Sequence, residues 1–480
     1  MKKTAMVKVV VAALIVVLSL QVLVFAEEQP QLLVSAPVEQ PDAWALEAVQ
    51  WSAIYGLASE EMYAKYSSKA TQEELLQVCA NLYERLTGKA VDQEDEKLFT
   101  DNDKFAAQKE ATRLEMVTAV YNVLKAAQPE FDFNANINLT FKDIGSIPES
   151  SLDIIKYSVS KGILNGRSKE ILDLESQCTR QELLVFTKNA YEFAIYESGR
   201  DSKGAFWKVS DEDSTVYLLG SIHIADATLY PLSKDILNAY EQSDALVVEA
   251  DISKQEESAK YMAEKAMYED ENTLDKNVPE DIYKQFVEFI TPYEIGEEVY
   301  NKFKPWYAAL LVQNLQLSEN SYSGNLGVDI YFLSKAMGQK DILEIEGIKF
   351  QVDMFDSFSS ELQTQFLASS LGLSEGDEET EANAEANIEL VAYMLKCWKE
   401  GNTEELAKIV KADHEVEGEV NEFNEKMWIS RDNNMAQKVK DYLADPESKT
   451  YFVVVGAGHM VGSNGIVAQL EDEYKVEQIK

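Results

Sequence analysis

The pattern of apolar and polar positions splits the chain into two stretches with different periods. From Trp44 to about Glu197, apolar residues recur at helical spacing. Trp44, Ala48, Val49 and Trp51 to Ile54 fall together, and Gly56 ends the run. A second run places Leu75, Leu76, Val78, Leu82 and Leu86 on one side of a helix. Its start, Thr71-Gln72-Glu73-Glu74, has the form of a capping box, in which a Thr hydroxyl and a Glu carboxylate satisfy the free N–H groups of the first turn. The same signature returns as Thr112-Arg113-Leu114-Glu115 before Met116 to Leu124. It returns again as Thr179-Arg180-Gln181-Glu182 before Leu183 to Tyr191.

The polar, glycine-bearing segment Glu197 to Gly204 marks a domain boundary. Beyond it, short apolar runs read as buried strands: Thr215 to Leu219, Ala245 to Val248, Ile342 to Ile345 and Tyr451 to Val455. Helical stretches separate them, among them Ile282 to Ile290, Trp306 to Leu317 and Leu390 to Trp398. Strands alternating with helices predict an α/β domain, a mixed sheet flanked by helices, preceded by an all-α domain. The acidic run Glu375 to Glu389 reads as a solvated loop or the exposed start of a helix.

The N-terminus changes the expected compartment. Lys2, Lys3 and Lys8 precede the apolar run Val9 to Phe25, and Val24-Phe25-Ala26 offers a small-residue exit before Glu27. This is the form of a secretory signal cleaved after Ala26, leaving a secreted or surface-attached protein. The rival reading is an uncleaved anchor, since the run approaches the length of a span. The expected division is a leader over 1–26, a linker over 27–42, helical repeats over 43–197 and the α/β domain over 205–480. No later segment is apolar enough to cross a bilayer.

Net charge is −40, and loss of the three leader lysines takes it to −43. That excludes a nucleic-acid partner, whose phosphates demand a basic footprint. Cys79, Cys178 and Cys397 are widely spaced with no CxxC pair, so they support neither a zinc knuckle nor a disulfide scaffold. Cys79 and Cys397 read as packed thiols, and a Cys79–Cys178 bridge stays open.

Three histidines remain to carry chemistry. His223 stands in Gly220-Ser221-Ile222-His223 directly after one predicted strand. His459 stands in Gly456-Ala457-Gly458-His459 directly after another. The glycines are expected to turn the chain so that each imidazole projects beyond the sheet edge, where open α/β sheets place their ligands. Glu249 ends a third strand and projects at the same rim. Two imidazoles and a carboxylate would suit a divalent metal with open positions. A hydrogen-bonded structural role for each histidine is the competing reading. His414, in an acidic setting, is given no role.

On these residues the chain resembles two known families. Gly220 to Asp251, then Lys304-Pro305-Trp306, Gly327-Val328-Asp329, Glu344-Ile345-Glu346, Arg431-Asp432 with Met435-Ala436, and Val454 to His459 are similar, in order, to TraB/GumN/Tiki domains. Asp432 stands where that family has Asn, and Glu473-Tyr474 stands where a Gly-Tyr turn is usual. The resemblance implies a manganese- or cobalt-dependent peptidase acting on secreted or signalling peptides. His223, Glu249 and His459 would hold the metal. Glu346 would be a further ligand or the base that takes a proton from the attacking water, and Arg431 would stabilise the oxyanion. A buried Glu346–Arg431 ion pair is the competing reading. A peptide-binding protein without catalysis, or metal-porphyrin binding by a related fold, are the alternative functions; high acidity disfavours the porphyrin.

The Thr-Arg-x-Glu helix starts resemble S-layer homology (SLH) repeats, clearest from Phe141-Lys142-Asp143-Ile144 through Gly162 to Gly166 to Thr179. Gln72 replaces the motif Arg in the first copy, and the middle copy near Phe99-Thr100-Asp101 is abbreviated. This resemblance implies attachment to cell-wall polysaccharide, with Arg113 and Arg180 as contacts.

Overall fold

The computed structural model describes residues 39–91, 106–252, 255–320, 322–373, 380–411 and 422–480. The expected leader, most of the linker, the Phe99-Thr100-Asp101 start, His414 and residues 375–379 of the acidic run lie outside them. The chain divides between Asp201 and Ser202 into two compact units.

In the N-terminal unit the longer helices are α1 (Leu46–Ile54), α2 (Gln72–Thr87), α3 (Arg113–Ala127), α4 (Leu152–Ser160) and α5 (Arg180–Glu197). The three Thr-led starts are capping boxes, at Thr71, Thr112 and Thr179. Each cap carboxylate also accepts from the residue after a different cap. Gln72 Nε2 donates to Glu115 at 3.0 Å, Arg113 Nη1 donates to Glu182 at 3.0 Å, and Arg180 Nη2 donates to Glu74. The three helix starts thus form a closed ring in which every carboxylate serves two helices. Arg113 further donates to Leu172 O and Asn165 O, and Arg180 to Glu61 O and Ala64 O. The two arginines expected to meet a polysaccharide are therefore engaged within the unit, and Arg113 is buried. All three cysteines are free, buried thiols.

The C-terminal unit is built on one six-stranded sheet. Its strands are β1 (Ala205–Ser210), β2 (Thr215–Ser221), β3 (Ala245–Val248), β4 (Asp341–Glu344), β5 (Thr450–Gly456) and β6 (Lys475–Gln478), in the order β4-β3-β5-β2-β1-β6. β5 runs parallel to both β2 and β3, and β3 runs parallel to β4. β1 is antiparallel to β2 and to β6. The sheet is mixed, as the sequence predicts.

Every residue of β3 is buried, as is β5 after Thr450, because helices cover these central parallel strands on both faces. β4, expected as a buried strand, is an edge strand with Asp341, Leu343 and Glu344 exposed. Phe452 of β5 packs against Phe206, Tyr240 and Phe332, which fixes the centre of the core. The helices used below are α6 (Val328–Ala336), α7 (Thr403–Val410) and α8 (Ser430–Leu443). Helix Thr380–Lys399 takes up the C-terminal part of the acidic run. No described helix is long and apolar enough to cross a membrane.

Candidate functional site at the strand ends

Because β2, β3, β4 and β5 are parallel, their C-terminal ends lie on one edge of the sheet. Ser221 pairs with Gly456, and Val248 pairs with both Val454 and Glu344. His223 follows β2, Glu249 follows β3, Glu346 follows β4, and His459 lies in the short helix Ala457–Met460 that follows β5. Three of the four, His223, Glu249 and His459, come together about Gly456, and Glu346 joins them through Arg431. A Cβ placed on Gly456 would lie 3.2 Å from Glu249 Oε1, 3.4 Å from His223 Nε2 and 3.6 Å from His459 Cδ2.

The motif glycines serve close approach rather than an unusual backbone turn. A Cβ on Gly220 would meet Ala457 Cα at 2.8 Å, and one on Gly458 would strike the Trp428 ring at 2.6 Å. Gly456 itself has φ −48°, a conformation open to any residue.

Each imidazole faces a carboxylate through Nδ1. His223 Nδ1 lies 3.0 Å from Asp329 Oδ1, on the first turn of α6, at ion-pair distance but without the geometry of a hydrogen bond. His459 Nδ1 lies 2.6 Å from Asp432 Oδ1, on the first turn of α8. Both Nε2 atoms are buried with no hydrogen-bond partner, and His459 Nε2 stands 4.0 Å from Glu249 Oε1. Imidazoles that hold a metal commonly use the other ring nitrogen in this way.

Neither aspartate was singled out from sequence for this role. Asp329 meets a histidine 106 positions away, so no local periodicity marks it, and Asp432 carries only its place beside Arg431.

Arg431 joins the acidic residues. Its Nε and Nη2 donate to the two oxygens of Glu346 at 2.8 and 2.7 Å, and Nη2 also donates to Glu249 Oε2 at 2.9 Å. Gln351 Nε2 adds a bond to Glu249 Oε2 at 2.9 Å, and Gly456 N donates to Glu249 Oε1 at 2.5 Å. Arg431 Nη1 is buried with no partner. Glu346 and Arg431 thus form a buried ion pair. Arg431 and His459 are 0% exposed, and His223 and Glu249 are 3%.

Burial dominates the electrostatics. It alone would lower the pKa of His223, but Asp329 and Glu249 outweigh it and hold the imidazole above its usual value. His459 is held well below, by burial and by Arg431, Lys411 and the other imidazole. Burial pushes Asp432 up to about 7 against the pull of Lys411. It raises Glu346 against the pull of Arg431. For Arg431 the two glutamates overcome burial and keep the guanidinium charged.

Among the described residues, no group of three or more His, Cys, Asp and Glu side chains is arranged to hold a metal ion as it stands. The donor chemistry fits one in kind: two buried imidazole nitrogens free of partners and a carboxylate oxygen, gathered about one glycine.

Fold and site together define an α/β protein with paired His–Asp groups at the C-terminal ends of parallel strands. The TraB/PrgY/gumN family matches residues 205–478, more than half of the chain, and the chain belongs to that family. It is similar to the uncharacterized protein YbaP of Escherichia coli (strain K12), with 23% identity over 258 residues, 53% of this chain and 87% of the relative. The YbaP of Shigella flexneri matches to the same extent. The family match begins at residue 205, so the likeness of the preceding helices to SLH repeats rests on their own sequence.

Proposed function

We propose that the C-terminal unit is a metal-dependent peptidase acting on secreted or signalling peptides, in an exported, wall-associated protein. One observation carries the reading. Two partner-free Nε2 atoms, each on a ring whose Nδ1 faces an aspartate, meet Glu249 about Gly456. A divalent first-row ion, manganese or cobalt by the family resemblance, would be held by His223, His459 and Glu249, and would supply Lewis acidity to a peptide carbonyl and its attacking water.

The chain's own residues do the rest. Asp329 and Asp432 orient the two imidazoles. Arg431, tied by two nitrogens to Glu346 and Glu249, keeps Nη1 for the oxyanion that forms when water adds to the carbonyl. With both oxygens on Arg431, Glu346 acts as base only if that pair opens. Gln351, bonded to Glu249 and 3.4 Å from Glu346, braces both carboxylates.

The test is cleavage of a peptide library by protein stripped of metal, with and without added manganese or cobalt. Cleavage only with metal, lost in His223→Ala and in His459→Ala, is the expected result. Equal cleavage without metal removes the metallopeptidase reading. Binding without any cleavage favours a protein that sequesters peptides.

For the N-terminal unit we propose wall-polysaccharide binding. A cleft of about 740 Å³ there is lined by Trp44, Arg113, Asn165, Arg167 and Glu182 among others. It offers the exposed Trp44 ring and the Arg167 guanidinium, whose donors are bonded to Glu182, Asp173 and Gln177 O. Retention of the full chain on purified wall polysaccharide is expected to fall in Arg167→Ala and Trp44→Ala. Unchanged retention in both contradicts binding through this cleft.

A further inference from the structure

Lys411 touches none of the atoms gathered about Gly456, yet it is built into the same cluster. It follows α7 as the helix's C-terminal cap, and its side chain is 6% exposed. Nζ donates to Asp432 Oδ2 at 2.5 Å, while Oδ1 of the same carboxylate faces His459 Nδ1 at 2.6 Å. The ammonium lies over the Trp428 ring, 5.3 Å from its centroid, and Trp428 in turn lies 5.0 Å from the His459 ring. Gly462 gives the lysine stem room, since a Cβ there would lie 2.8 Å from Lys411 Cδ. Trp428 belongs to the π-helical turn Glu425–Ile429 that leads directly into α8, so one irregular turn sets both the ring and Asp432.

A lysine ammonium only donates, so Oδ2 of Asp432 is committed as an acceptor and the carboxylate plane is fixed. The other oxygen then receives Nδ1–H from the imidazole. The ring is left with its lone pair on Nε2, directed toward Glu249 and away from the aspartate.

We infer that Lys411 is a positioning residue that, by pinning Asp432, locks His459 in the tautomer protonated at Nδ1 and lone-paired at Nε2. The consequence for metal affinity rests on the peptidase reading; the tautomer does not.

The test is 15N spectroscopy of the histidine rings in the full-length, metal-free chain, with His459 assigned by its loss in His459→Ala. In the unaltered chain His459 is expected as a single Nδ1–H tautomer. Lys411→Met frees the carboxylate to rotate, so both tautomers are expected, and Lys411→Ala serves if the first variant does not fold. Lys411→Arg is expected to restore the single tautomer, because its guanidinium can pin the same oxygen. Manganese affinity, measured by titration, is expected to fall about 10- to 100-fold in Lys411→Met or Lys411→Ala and to recover in Lys411→Arg. A single Nδ1–H tautomer in a folded variant without the cation, or a single Nε2–H tautomer in the unaltered chain, overturns the inference. If the unaltered chain binds no manganese, the peptidase reading fails while the tautomer result still decides the role of Lys411.

Discussion

Gly456 N donates to Glu249 Oε1 at 2.5 Å, so the last residue of the central strand β5 holds the carboxylate that follows its neighbour β3. The site is therefore assembled on the sheet backbone itself, with the two imidazoles closing over the same glycine.

Gly456→Ala places a methyl group among Glu249 Oε1, His223 Nε2 and His459 Cδ2, at 3.2, 3.4 and 3.6 Å. The backbone there accepts alanine, so the fold is expected to survive with a loss of about 1–3 kcal/mol for overpacking. Manganese affinity is expected to fall at least about tenfold, since the methyl group keeps the donors from closing on an ion. Thermal melts and calorimetric titration of the same preparation separate the two effects.

Glu346→Gln breaks one half of a buried ion pair and leaves Arg431 short of a counter-charge. The loss expected in urea unfolding is smaller than the about 3–5 kcal/mol of a fully broken buried pair, because Glu249 still accepts from Arg431 and burial already disfavours the Glu346 charge. Loss of turnover in this variant does not by itself identify a catalytic base. Only activity normalised to the folded fraction bears on that role.

His223 has a raised pKa and His459 a lowered one, so His223 is the imidazole that must lose a proton when an ion binds. Manganese affinity is expected to rise with pH through a value above the usual imidazole range of about 6.5, with His223 releasing a proton per ion below it and Asp432, pushed up to about 7 beside His459, adding to the release. Asp329→Asn removes the charge that raises His223 and should move this transition to lower pH. Titration calorimetry in buffers of different ionisation enthalpy counts the protons.

Glu182 caps α5 and accepts from Arg113 and Arg167. Burial pushes its carboxyl up, but Arg167, the Thr179 N–H and Arg113 outweigh it and hold it below the usual range. A depressed carboxylate contributes stability that is fully present above the unfolded value of about 4.3 and lost as pH falls through the folded one. Glu182→Gln is expected to lower stability at neutral pH and to flatten its fall in acid. Hydrogen exchange in α3 and α5 across that pH range is the check.

Local chemistry explains which parts of this structure could be read from sequence. The capping boxes at Thr71, Thr112 and Thr179 each act within four residues, and β3 falls on the apolar run Ala245 to Val248. The two GxxH turns carry their histidines to the strand ends because the strand before each is continuously apolar. β1 was not apparent, because Lys208 interrupts a six-residue run whose Val209 and Trp207 are recognised as inward only once β2 and β6 flank it. Asp329 and Asp432 stand in motifs shared with the family and Lys411 in none, but no sequence signal ties any of the three to a histidine. Their partners lie far off in sequence, and a carboxylate at the start of a helix looks the same whether it faces solvent or an imidazole. Arg113 and Arg180 drew notice as motif residues, but only the folded ring showed that their donors are spent internally.

The two His–Asp groups and Glu249 are proposed to hold one divalent ion. Crystals of the chain grown with manganese and measured at the manganese absorption edge test it most directly. A single strong anomalous peak is expected between Nε2 of His223 and Nε2 of His459, beside Glu249, and is expected to be absent in Gly456→Ala crystals. Anomalous peaks confined to other parts of the molecule, with both Nε2 atoms bonded only to protein or water, would contradict it.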